Sequence, residues 1–247
     1  MIRGNSTRVK NWTSRPRPEP ERMPIVSDRQ AWERHWSSRG AGSAFKKLTT
    51  VVRKWILSRA VQSYTDRFFP AGGTFLECGC GTGQSSMRVS RNGRRLIAAD
   101  LSLEALRVAR KLAVYAGQLQ ADLCRLPLAN DSVAGIWNLG VMEHFGSEEA
   151  DAVLREFRRV LRPGHSAVLF WPPDFGSSRI ALAPIEWFLT RRRGRPFRFF
   201  PSEPGRLRSR REARERMIGA GFEPVAEEFG PRDAFIHVVV VGRKPER

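Results

Sequence analysis

The stretch Glu77-Cys78-Gly79-Cys80-Gly81-Thr82-Gly83-Gln84 decides how this chain is read. It follows a short apolar run, Thr74–Cys78, and the pattern predicts a strand, a glycine loop and then a helix. Glycines at alternate positions permit positive φ and leave no Cβ to obstruct a ligand lying against the backbone. The N-terminus of a following helix would add unpaired N–H groups. Asp100 stands 21 residues beyond Gly79 (100 minus 79), at the end of a second apolar run, Leu96–Ala99. A carboxylate in that place can accept bonds from both hydroxyls of a ribose.

Two nucleoside ligands fit this frame. A dinucleotide loop reads G-x-G-x-x-G, and the third glycine position here is Gln84. The observed G-x-G-x-G, preceded by the acid Glu77, suits a ligand with an amino-acid end and no pyrophosphate. S-adenosylmethionine (SAM) is therefore favoured over NAD as the cofactor. A turn with no ligand leaves the position of Asp100 unexplained.

Outward from the loop, short apolar runs alternate with amphipathic helices, the pattern of a parallel sheet wrapped by crossover helices. Ser102 is placed to cap a helix ending at Gly117, with Leu106, Ala109 and Ala113 on one face. Leu119–Asp122 and Val133–Leu139 read as the third and fourth strands. Ser147 would cap the next helix, whose buried stripe is Val153, Leu154, Phe157, Val160 and Leu161. Ala167–Trp171 is a fifth strand, after which the rhythm fails for about 35 residues. It resumes with a helix near Arg208–Ile218 and two strands, Phe222–Phe229 and Ala234–Gly242. Their short link, Gly230-Pro231-Arg232-Asp233, implies an antiparallel hairpin, since a parallel pair needs a crossover of about a dozen residues.

Phe75–Ser86 resembles motif I of the class I SAM-dependent methyltransferases, and Ala98-Ala99-Asp100-Leu101-Ser102 resembles their motif II. Ala121-Asp122-Leu123 with the stretch Leu126–Val133, then Asn138–Phe145 and Phe157–Gly164, are similar to the type 11 methyltransferase domain. That group includes the ubiquinone and menaquinone C-methyltransferases. The likeness runs in order from Gly72 to Trp171. It implies an α/β, Rossmann-like seven-stranded fold, with five parallel strands, an antiparallel C-terminal hairpin and an N-terminal helical extension. It also implies roles. Glu77 and the loop Gly79, Cys80, Gly81 and Gly83 would hold the methionine end, and Asp100 the ribose. Leu101 and Leu123 would flank adenine, Asp122 would accept its amine, and Asn138 and Leu139 would line the methyl-donor side. Gly164-His165 departs from the family's usual pair of glycines, at a turn away from the cofactor.

Glu143 and His144 follow the fourth strand and are the candidate catalytic residues. His144 is the candidate general base, weighed against a pair that only shapes the loop. The fourth strand ends in Asn138-Leu139-Gly140-Val141, without the Asn/Asp-Pro-Pro-aromatic motif of nucleic-acid amino-methyltransferases. No cysteine follows the fourth or fifth strand for C5 methylation of pyrimidines. The acceptor expected is thus a small molecule or a lipid-like, anionic or lipid-linked one. RNA methylation and a SAM-binding scaffold without turnover are the alternatives.

The formal charge is +18, and only six of the 43 basic residues are lysine. Arg191 to Arg216 concentrates eleven arginines against Glu203, Glu212 and Glu215, a local net of +8. Such a block attracts anions: an acidic membrane surface, a phosphorylated acceptor or nucleic acid. Cys78, Cys80 and Cys124 have the count and spacing of neither a disulfide framework nor a zinc site. Residues 1–27 read as a disordered basic tail, 28–70 as a helical lid carrying Trp32 and Trp36, and 71–247 as the catalytic domain, interrupted by a substrate-side insertion at 174–206. No run is apolar enough to span a membrane and no signal-peptide pattern opens the chain, so the expected location is cytoplasmic, with peripheral membrane contact through the insertion.

Overall fold

The computed structural model describes residues 32–33, 49–197 and 203–246. The expected tail, Trp36, and Phe199 and Phe200 of the insertion lie outside them. Seven strands, β1 (Gly73–Cys78), β2 (Arg94–Asp100), β3 (Gly117–Gln120), β4 (Gly135–Leu139), β5 (Ser166–Trp171), β6 (Glu223–Glu228) and β7 (Val238–Arg243), form one sheet in the order β3-β2-β1-β4-β5-β7-β6. β1 to β5 run parallel. β7 pairs antiparallel with both β5 and β6, so the chain crosses over and returns between them.

Alternation along the strands assigns the two faces of the sheet. Leu76, Cys78, Leu169 and Trp171 join Val153, Leu154, Phe157 and Val160 of one helix (α3, Ser147–Val160) and Ala213 and Met217 of another (α5, Arg210–Gly219). Phe75, Trp137, Val168 and Phe170 meet Ala60, Val61 and Tyr64 of the N-terminal helix α1 (Ser58–Phe68) on the opposite face. Each fully buried side chain of this size contributes about 1.5–3 kcal/mol. Phe157→Ala, at a wholly buried position, would remove about 3–5 kcal/mol.

Several expectations from the sequence are corrected. No α-helix follows the glycine loop; a single 3₁₀ turn, Gln84–Ser86, stands there. Serines in this stretch are committed elsewhere: Ser86 Oγ accepts the Trp137 indole N–H at 3.0 Å and Ser90 bonds Asp66. Val89 packs with Ala60 and Val61, so α1 covers the face that the missing helix would have covered. The helix capped by Ser102 (α2, Leu103–Ala109) passes into a 3₁₀ turn and stops at Ala113, φ 50°, leaving Gly117 to open β3. β3 therefore begins two residues before the expected Leu119. Gly146, not Ser147, is the N-cap of α3, and the Glu149 carboxylate accepts the Gly146 N–H. The largest difference is a 17-residue helix, α4 (Ser177–Arg193), inside the presumed irregular insertion. Pro184 within it, and exposed apolar residues along it, keep it from reading as an amphipathic helix packed on the core. The link between β6 and β7 is also longer, with a 3₁₀ turn at Pro231–Asp233 and left-handed Ala234 and Phe235.

Candidate active site

The glycine loop leaves the carboxyl end of β1 and turns across the end of β2, where Gly79 and Cys80 donate N–H bonds to the Ala99 carbonyl. Gly79 has φ +71°, and a Cβ there would lie 2.5 Å from Val141 Cγ2. Gly83, φ +72°, would meet the Tyr115 hydroxyl at 2.8 Å. Neither position accepts a side chain without moving its neighbour. Asp100, 8% exposed at the end of β2, accepts the Gly81 N–H through Oδ2 at 2.8 Å and the Ser102 N–H through Oδ1 at 2.9 Å. The expected ribose acceptor therefore also fastens the loop to the second strand, and each oxygen keeps a further lone pair. Burial raises the Asp100 carboxyl above its usual value, and the Ser102 and Gly81 N–H groups oppose the rise.

Glu77 is buried beneath this loop. Burial pushes its carboxyl up to about 7, while bonds from Tyr115 and Ser86 pull the other way. The Tyr115 hydroxyl donates to Glu77 Oε2, and Ser86 in turn receives the Trp137 indole. Tyr115 lies in an irregular segment ahead of β3, where no periodicity or motif could have marked it.

Asn138, at the carboxyl end of β4, is wholly buried, yet neither its Nδ2 nor its Oδ1 has a hydrogen-bond partner among the described residues. Such atoms are nearly always paired in proteins. A ligand in the cleft would satisfy both. The residues present thus fit SAM. Leu101 is half-buried, Leu123 buried, and Asp122 half-buried with Oδ1 bonded to the Cys124 N–H. Leu139 is partly buried against the α1 face.

Following β4, a 3₁₀ turn, Met142–His144, carries Glu143 and His144. Met142 anchors it in the core, and the Gly205 N–H donates to the Glu143 carbonyl at 2.9 Å. Glu143 is buried, with Oε2 unpartnered and Oε1 3.9 Å from His144 Nε2, beyond hydrogen-bond reach. Burial, then the nearby Glu203 charge, push its carboxyl up to about 8, against the pull of Arg206 and Arg53. Arg53, on a π-helical turn (Arg53–Leu57) just before α1, is held below its usual value by burial and raised by Glu143. Arg206 pairs with Glu203 and donates to the Pro173 carbonyl at 2.7 Å. Its Nε makes no hydrogen bond, lying 3.5 Å from Asp174 Oδ1.

The N-terminal segment reaches the same cleft. The Trp32 ring meets His144 edge-on at 4.9 Å. Glu33 accepts from the Leu103 and Glu104 N–H groups and from Ser102 Oγ at 2.8–3.2 Å, capping α2 beside Asp100. A carboxylate there satisfies orphan donors and complements the helix dipole. Sequence reading singled out Trp32 but neither Glu33, Arg53 nor Arg206.

This sheet order, with a glycine-lined cleft at the carboxyl ends of β1, β2 and β4, is that of the class I SAM-dependent methyltransferases. Residues 76–169, less than half of the chain, match the family described as methyltransferase domain. Among curated proteins it is similar to malonyl-[acyl-carrier protein] O-methyltransferase of Hamiltonella defensa, 32% identical over 41% of this chain and 38% of that protein. The matched stretch thus spans well under half the length of this relative. Among solved structures it resembles a SAM-dependent methyltransferase, possible histamine N-methyltransferase, of Thermotoga maritima (19% identity, 81% of this chain and 94% of that one, TM-score 0.58). It also resembles the Burkholderia thailandensis 1,6-didemethyltoxoflavin-N1-methyltransferase with bound S-adenosylhomocysteine (16%, 85% and 93%, TM-score 0.54). The family match stops at residue 169, before α4 and the segment carrying Arg206.

Proposed function

We propose that the protein transfers the methyl group of SAM to a small-molecule or lipid-like acceptor that carries negative charge. The observation that carries this reading is the buried Glu143 carboxyl, unpartnered at Oε2 and under the influence of Arg53 and Arg206. Burial favours the uncharged form of this carboxyl, which leaves the positive charge of Arg53 to be met by an anionic acceptor. SAM, when bound, supplies an already activated methyl group. The residues of this chain have three tasks: holding the donor through Glu77, the Gly79–Gly83 loop, Asp100 and Asn138, orienting the acceptor, and excluding water. A carboxylate acceptor has no proton to lose. For a hydroxyl or carbon acid, His144 is the candidate base, beside Glu143 and against Trp32. The Hamiltonella relative is named for an acceptor with a free carboxylate, malonyl on a carrier protein, which agrees with an anion-holding site.

The test is incubation with methyl-labelled SAM and separated pools of carboxylic acids, acyl thioesters, acidic lipids and RNA. Label in an anionic small-molecule or lipid pool, reduced by Arg53→Gln, is the expected result. Label in RNA would establish the nucleic-acid alternative. SAM binding with label in no pool would indicate a scaffold.

A further inference from the structure

Helix α4 is built inside out. Among the described residues its one buried side chain is an acid, Glu186, which meets Arg179 at 3.2 Å on the protein side. Leu182 and Leu189, at helical spacing from Glu186, are half-buried, whereas Ile180 is 65%, Ile185 47%, Trp187 65% and Phe188 54% exposed. Ile180, Pro184, Trp187 and Arg191 follow one another at i, i+4, i+7 and i+11, a single outward stripe that ends in Arg191, Arg192 and Arg193. The Arg191 guanidinium lies over the Trp187 ring at 5.8 Å.

A second apolar group flanks the same anchor. Ser177, at the start of α4, is held by the carbonyls of Ala234 and Phe235. The turn Pro231–Asp233 just before them packs against the π-helical turn that bears Arg53. On that turn and the residues before it, Val51 and Trp55 are each 53% exposed, and Arg59 and Arg88 sit over the Trp55 ring at 5.2 and 5.6 Å. Phe175 and Phe235 are exposed beside the start of α4. The result is an aromatic and aliphatic rim interleaved with arginine, reaching the π-helical turn that bears Arg53.

We infer that this rim is an interfacial docking surface for an anionic lipid bilayer, with α4 lying in the headgroup region and delivering the cleft to an acceptor held in the membrane. The inference rests on the anionic, lipid-like acceptor proposed above. Charge selects the occupant. A second copy of the chain would bring the same arginines and a net charge of +18 against itself. A bilayer surface offers acidic headgroups to Arg191–Arg193 and hydrocarbon to Ile180, Trp187 and Phe188. No helix among the described residues is long and apolar enough to cross the membrane, so contact is in the plane.

The test is sedimentation of the full chain with phosphatidylcholine vesicles containing 0 to about 40% phosphatidylglycerol, with tryptophan emission as a second readout. Binding should rise with acidic lipid and shift the emission to the blue. It should fall at least tenfold in the triple variant Arg191→Gln, Arg192→Gln, Arg193→Gln, and also in Trp187→Ser with Phe188→Ser. Calorimetric SAM affinity, measured on the same samples, should stay at the wild-type value. Recovery that is equal on neutral and acidic vesicles, or absent from both, overturns the inference. So does salt-sensitive RNA binding without vesicle binding, or a dimer abolished by the same substitutions. Vesicle binding retained while no anionic acceptor is methylated would instead sink the catalytic reading and leave the docking surface standing.

Discussion

The cofactor half and the acceptor half of this molecule handle polar groups in opposite ways. Around the glycine loop nearly every group is committed: Asp100 ties two backbone amides, Glu77 takes Tyr115, Ser86 takes Trp137. The exception, Asn138, is a buried amide at the carboxyl end of β4. Beyond β5 the arrangement inverts, with an acid inside and indole and phenyl rings outside. A surface that is closed except where a ligand fits is prepared for one small molecule. A helix that presents its apolar side outward is prepared for something large and soft.

The sharpest way to break this contrast is to disturb the closed half. Gly79→Ala places a methyl 2.5 Å from Val141 Cγ2 at φ +71°, a left-handed conformation that by itself costs about 1–2 kcal/mol. Calorimetry should show SAM affinity lost by a hundredfold or more, with partial recovery in Gly79→Ala combined with Val141→Ala. Asp100→Ala removes the acceptor of two backbone N–H groups, each such bond worth about 1 kcal/mol or more. SAM and S-adenosylhomocysteine affinity should fall tenfold or more, and wild-type affinity in this variant would refute the cofactor assignment.

Glu143 tests the boundary between the halves. Its folded-state value near 8 lies above the 4.5 of an ordinary carboxyl. Between those values the unfolded chain has released a proton that the folded chain still holds, so stability contributed here falls as pH rises from about 4.5 to 8. Glu143→Gln should flatten the pH dependence of thermal unfolding, removing up to roughly 4 kcal/mol of the wild type's decline over that window. Matching slopes for the two proteins would mean that the carboxyl titrates normally.

The smallest effect expected is at Glu33. Glu33→Gln weakens the cap on α2 by about 1 kcal/mol and should loosen the segment bearing Trp32. Hydrogen exchange at residues 28–36 should slow on SAM binding in the wild type and slow less in the variant. Equal exchange with and without SAM would rule out a lid.

The legibility of the sequence followed the same division. Strands β1 to β5, the loop glycines and Asp100 were readable because apolar alternation and a fixed spacing both act locally. The 3₁₀ turn at Gln84–Ser86 was not, because α1, from an earlier stretch of chain, covers that face in place of a crossover helix. α4 was missed because its apolar residues face solvent, and periodicity finds helices by what they bury. Tyr115, Arg53 and Arg206 reach the site from segments with no motif of their own.

The return of β7 between β5 and β6 sets a condition on how the chain acquires its shape during synthesis. β6 is made before β7 but has no other strand to pair with. Until residues 238–243 have left the ribosome, β5 presents an open edge and β6 has no place in the sheet. Once they emerge, Lys244 bonds Asp131 and the Leu161 carbonyl, clamping the new strand to the far end of α3. The five parallel strands can assemble as the nascent chain grows, but the sheet closes in one late step. A ribosome stalled before residue 238 would hold a chain with an exposed, adhesive strand edge, the form in which a β-sheet protein is most prone to aggregate.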